Sequence, residues 1–179
     1  MDEPNSGDEP DSRDEALAEA VRLRGAGERE AARQRLLTLS ARHPDDAEIA
    51  YQTAWAHDVL GLEREAVPFY ERALAAEAPP LTDDDRRGAL LGLGSTYRVL
   101  GAHERAVALL REAAAAYPED GALRAFLAMA LHNTGAHEEA MRLLLVLLAD
   151  TSDDPSVREY RAALAHYATD LSTAASAAP

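Results

Sequence analysis

A glycine returns along this chain at Gly27, Gly61, Gly101 and Gly135, each inside the same order of small and large apolar residues. Gly27 to Gly61 and Gly101 to Gly135 each span 34 residues, and Gly61 to Gly101 spans 40. The clearest copy is Arg87 to Asp120, RGALLGLGSTYRVLGAHERAVALLREAAAAYPED. It reads as two amphipathic helices joined by Gly-Ala-His and stopped by Pro118. Leu93, Gly94, Tyr97, Gly101, Ala106, Leu110, Ala113 and Pro118 hold its seventh, eighth, eleventh, fifteenth, twentieth, twenty-fourth, twenty-seventh and thirty-second positions. In a helix, residues three and four apart share a face. Small residues at the eighth, twentieth and twenty-seventh positions let helix axes approach, while large ones at the seventh, eleventh and twenty-fourth fill between them. The fifteenth-position glycine supplies the left-handed conformation that ends the first helix.

The other copies keep phase. Residues 13–46 carry Ala20, Gly27, Ala32, Leu36 and Pro44 at the eighth, fifteenth, twentieth, twenty-fourth and thirty-second positions. Residues 47–80 carry Ala54, Gly61, Ala66, Tyr70 and Ala73, with Pro68 near the start of a second helix and Pro79-Pro80 as its stop. Residues 121–154 carry Leu127, Ala128, Leu131, Gly135, Ala140 and Leu144, with Leu147 where a small residue is expected. The six extra residues 81–86 put Thr82 before Asp83, Asp84 and Asp85, an N-cap and acidic first turn that extend the third copy's first helix forward. Residues 155–171 read as one further helix with a stripe of Val157, Tyr160, Ala163, Leu164, Tyr167 and Leu171, suited to covering the last copy's open face. Residues 1–12 form an acidic tail and 172–179 a small-residue tail, both expected to be disordered.

This pattern resembles the tetratricopeptide repeat, a helix-turn-helix unit of about 34 residues, and the resemblance covers 13–154 plus the final helix. It looks closest to short, stand-alone bacterial members. Ala50 at the family's usual tryptophan position and His57 at its tyrosine position depart from it. The fold expected is all-α: a right-handed superhelical α-solenoid of four helix pairs plus a C-terminal capping helix, because no single unit buries both of its faces.

The resemblance implies a non-enzymatic scaffold that binds a protein or peptide segment along its concave face. Transferred residue by residue, that face carries Leu17, Val21 and Arg24; Tyr51, Gln52, Trp55, Asp58 and Val59; Leu91, Ser95, Arg98 and Val99; and Phe126, Met129, His132 and Asn133. We read Tyr51, Trp55, Phe126 and Met129 as apolar anchors on a face otherwise wet. Arg98 and Arg24 are placed to pair with carboxylates. The alternative is a structural subunit that self-assembles through the capping helix or the repeat edges. The lysine-and-asparagine clamp that some family members use on a C-terminal carboxylate is not available, since all 18 basic residues are arginine. Gly92, on the concave side of a helix, points to close approach by a ligand or by a neighbouring helix.

Other chemistries find little support. A formal charge of −14 repels phosphate backbones, so no nucleic-acid partner is expected. The absence of cysteine removes disulfides, thiolate metal sites and cysteine nucleophiles. Gly92-Leu-Gly94 falls inside a helix with no strand before it, unlike a dinucleotide turn. His132 and His137 are five apart across a turn, and metal-ligand geometry is not indicated. Ser95 could approach His132, but no acid is evident to complete a triad. No cofactor, metal or catalytic residue is assigned. The polar N-terminus lacks a secretory pattern and no apolar run spans a bilayer, so a cytoplasmic protein without membrane attachment is expected.

Overall fold

The computed structural model describes residues 12–171. Ten helices and no strand occur among them: α1 Arg13–Gly25, α2 Arg29–Arg42, α3 Ala47–Asp58, α4 Glu63–Ala75, α5 Asp83–Val99, α6 His103–Ala116, α7 Gly121–Asn133, α8 His137–Thr151, α9 Pro155–Glu159 and α10 Arg161–Tyr167. The chain is an all-α helix-pair repeat of the solenoid class. The proposed tails at 1–11 and 172–179 lie outside the described residues. Ser12 lies within them: its hydroxyl accepts from the Glu15 N–H and the Glu15 carboxylate accepts from the Ser12 N–H, closing a capping box on α1.

The four recurrent glycines have one job. Gly27, Gly61, Gly101 and Gly135 are left-handed, at φ 86°, 73°, 79° and 86°. Each N–H donates to the carbonyl three residues back, at Arg24, Asp58, Arg98 and His132. The residue after each glycine donates five residues back, to Leu23, His57, Tyr97 and Leu131. That pair of bonds satisfies carbonyls the helix end would otherwise orphan. It also makes Arg24, Asp58, Arg98 and His132 equivalent positions at the ends of α1, α3, α5 and α7.

The molecule divides into two compact units at the boundary between Leu93 and Gly94, within α5. In the first unit, Leu17, Ala20, Leu36, Leu39, Ile49 and Ala56 form a buried cluster against which Ala16 and Val21 pack. The small eighth- and twentieth-position residues Ala20, Ala32, Ala54 and Ala66 are wholly buried, which is what lets the helices of a pair approach. Thr82 caps α5 by accepting the Asp85 N–H, so the extra residues lengthen this helix to 17 residues. In the second unit, Leu110, Leu123, Leu127 and Leu131 are buried with Ala106, Ala113, Ala128 and Ala130. A side chain at Gly94 would run into Leu110.

Two local expectations need correction. Pro68 stands in the second turn of α4, not at its start. Its missing N–H leaves the Arg64 carbonyl without its helical donor, a cost the first turn would have avoided. The final helix is not continuous: α9 and α10 meet at Tyr160, whose φ of −98° and ψ of 10° break the run. Tyr160, Tyr167 and Leu171 stay exposed, and so do Met141, Leu144 and Leu148 on α8. The stripe therefore covers the last helix pair only in part.

Asp46 ties the first unit together. Its carboxylate caps α3 by accepting the Ile49 N–H at 2.9 Å and accepts both Nε and Nη2 of Arg13 from α1, each at 2.9 Å. Burial pushes the Asp46 carboxyl pKa up, but the Arg13 hydrogen bonds and the backbone N–H groups outweigh it and hold the group below its usual value. Stability from a depressed carboxyl is complete above its unfolded pKa of about 4 and is lost as pH falls through the lower native value. Asp46→Ala should cost about 2 kcal/mol at neutral pH, most of it the lost cap. Asp46→Asn keeps a capping oxygen and should cost under about 1 kcal/mol. Urea unfolding at pH 7 and at pH 3 checks this: the gap between wild type and Asp46→Asn should close at the acid end.

Candidate functional site

The first unit presents an aromatic and arginine face. Tyr51 and Trp55 are one turn apart on α3 and their rings stack with centroids 5.9 Å apart. Tyr70 of α4 lies 6.4 Å from Tyr51 between ring centroids, the two rings tilted by 44°. The Arg24 guanidinium, from the end of α1, sits 3.8 Å from the Trp55 ring centroid. Its Nη1 donates to the Gln52 carbonyl at 3.4 Å, and no carboxylate pairs with it among the described residues. Burial lowers the Arg24 pKa, with the neighbouring tyrosines opposing it. The guanidinium is half-buried and makes one long hydrogen bond, with most of its five donors not spent on protein acceptors. Trp55 keeps 41% of its surface exposed.

The tyrosines are structural. Tyr70 is buried and donates to Asp58 at 2.7 Å; burial first, then the Asp58 charge, pushes its hydroxyl pKa far up. Tyr51 is buried too, its pKa raised by burial and by Asp85 against the opposing Arg24. Glycines on α5 receive both: a side chain at Gly88 would collide with the Tyr51 hydroxyl, and one at Gly92 with the Tyr70 ring. The neighbouring helix, not a ligand, accounts for Gly92.

The second unit has a cavity of about 460 Å³, lined by Arg98 of α5, by Ala128, Met129, His132 and Asn133 of α7, and by His137, Ala140, Met141 and Leu144 of α8. The two histidine rings meet there, with Nδ1 atoms 3.1 Å apart and centroids 4.6 Å apart. The Arg98 Nε is buried without a partner.

The residues expected on one wet face therefore sort differently. Tyr51 and Gln52 are buried, and Asp58 is taken by Tyr70, so these three do not stand open to a partner. Trp55 stands open in the first unit and Leu91 is half-buried there. In the second unit Arg98, Met129, His132 and Asn133 line one cavity; Ser95 and Phe126 are half-buried and do not line it. Sequence reasoning missed His137, Met141 and Leu144, although Met141 follows His137 by one turn. The separation of His132 and His137 across a turn misled: the left-handed Gly135 folds α8 back and brings the rings together. Among the described residues, no three His, Asp or Glu side chains cluster as metal ligands.

Antiparallel helix pairs, each closed by the same glycine turn and bearing faces of exposed apolar and arginine side chains, define a helical repeat scaffold. The sequence profile of the family described as Tetratrico peptide repeat matches residues 47–171, well over half of the chain, and the protein belongs to that family. It is thereby a member of a family of protein-interaction scaffolds. No curated protein sequence matches the chain. Among solved structures it is similar to a crystal structure of a MamA protein, at TM-score 0.67 and 18% identity over 85% of this chain and 76% of that one. It is also similar to MamA from residue 41 onward of Desulfovibrio magneticus RS-1, at TM-score 0.64 and 18% identity over 92% and 99%. At such identities the likeness concerns the fold. No described helix is long and apolar enough to cross a membrane.

Proposed function

We propose that this protein recruits a peptide or protein segment through the exposed aromatic and arginine face of its first unit and the α7–α8 cavity of its second. The observation that carries the reading is Arg24 on Trp55. A half-buried guanidinium, stacked on a half-exposed indole and lacking an acid, leaves hydrogen-bonding capacity unused in the isolated fold. That capacity is used when a partner brings a carboxylate to the guanidinium and an apolar group to the indole. Arg98 offers the same chemistry beside Met129, Met141 and Leu144. The segment recognised is accordingly one with apolar anchors next to acidic side chains.

Purified protein and its Trp55→Ala/Arg98→Glu variant, each used to capture partners from the source cell, test this. The variant should lose the partner and keep wild-type helicity and melting. Equal capture by both, or unfolding of the variant, would sink the reading. A second reading rests on Met141, Leu144, Leu148, Tyr160 and Tyr167, which remain exposed around α8 and α10: a second copy of the chain would cover them. Light scattering decides it, since a concentration-independent monomer removes self-assembly.

A further inference from the structure

We propose that the α7–α8 cavity of the second unit binds copper(I) through His132, His137, Met129 and Met141. Met129 precedes His132 by three residues on α7, and Met141 follows His137 by four on α8, so each methionine shares a helix face with its histidine. All four line the same cavity. The imidazole Nδ1 atoms stand 3.1 Å apart. Two nitrogens that each bind one tetrahedral metal at about 2.0–2.1 Å lie roughly 3.3 Å from each other, so the nitrogen separation suits a shared ion once the rings turn both lone pairs toward it. Without metal, the same separation is an N–H···N hydrogen bond, with one ring donating to the other. That bond must open, its proton moving to the other ring nitrogen, before both Nδ1 atoms can ligate.

The ligand set selects the ion. Thioethers bind soft ions and ignore hard ones, and imidazole joins them on copper. No carboxylate lines the cavity and Asn133 offers its one side-chain oxygen, far short of the six or more that calcium, magnesium or manganese require. Arg98 lines it too, and its charge opposes a divalent ion more strongly than a monovalent one. Copper(I), singly charged and content with four neutral ligands, meets all three conditions. Met129 is 38% and Met141 50% exposed, so an ion reaches the sulfurs from solvent without any opening of the fold.

The test is an anaerobic competition between the full-length protein and a chromophoric copper(I) chelator, with zinc(II) titrated in parallel. Wild type should withdraw one equivalent of copper(I). His132→Ala/His137→Ala should weaken copper(I) binding by more than about 100-fold, beyond the roughly 10- to 100-fold that loss of a supporting hydrogen bond costs at other metal sites. Met129→Leu/Met141→Leu keeps the apolar volume and should weaken copper(I) by a similar factor while leaving zinc(II) binding unchanged. Circular dichroism confirms that each variant keeps its helicity. The proposal is overturned if wild type surrenders all its copper to the chelator, or if either double variant competes as well as wild type does.

Discussion

Gly92→Ala is expected to destabilise the protein by roughly 1–3 kcal/mol, as overpacking of a filled interior does. Helix propensity alone predicts the opposite sign, a gain of about 1 kcal/mol for alanine over glycine inside α5. Sterics decide it. The added methyl carbon would lie 2.5 Å from Cζ and 2.9 Å from Cε1 of Tyr70. That ring has nowhere to retreat, because it is buried and its hydroxyl is held by Asp58 at 2.7 Å. Gly92→Val should be worse again, since its branched side chain adds volume at the same point. Chemical denaturation in two backgrounds separates the terms. With Tyr70→Leu in place the collision is relieved, and Gly92→Ala should turn neutral or stabilising. A Gly92→Ala variant more stable than wild type would show that the ring does not pack on this backbone.

Gly92 also marks where the sequence stops being legible. The repeat phase could be read from Gly27, Gly61, Gly101 and Gly135 because each glycine answers a local demand, a positive φ closing one helix, and local demands leave local signatures. The alanines of the eighth and twentieth positions are legible for the same reason: their spacing states which face is buried. What Gly92 receives is a side chain 22 residues earlier, on another helix, and no periodicity within α5 names it. The same limit separates Tyr51 from Trp55. Both hold groove positions by repeat number and both are aromatic, yet Gly88 draws the Tyr51 hydroxyl into the interior while Trp55 stays half open. The histidine pair was hidden by the opposite error. Five residues apart is wrong for one helix, but the turn at Gly135 makes His132 and His137 neighbours on two.

Arg24→Met should leave the fold as stable as wild type or more so, while lowering affinity for an acidic partner segment by about 10- to 100-fold. The two halves follow from one charge. In the free protein Arg24 is half-buried, with a stack on Trp55 and a 3.4 Å bond to the Gln52 carbonyl, and burial already lowers its pKa. A methionine of similar reach keeps the contact with the indole and removes the unpaired charge, a change that is often neutral or stabilising. In the complex the balance reverses. A hydrogen bond to a charged group contributes about 1.5–3 kcal/mol, which is the fold-change stated. Salt sharpens the diagnosis. At −14 overall the chain repels an acidic partner at long range, and added salt screens that repulsion while touching a buried contact far less. Wild-type affinity for such a segment should therefore hold or rise between low and moderate salt, and the Arg24→Met deficit should persist throughout. Thermal melts beside titrations of an acidic, apolar-anchored peptide measure both halves. A variant that melts lower yet binds as wild type would make Arg24 a packing residue of α1 and remove it from recognition.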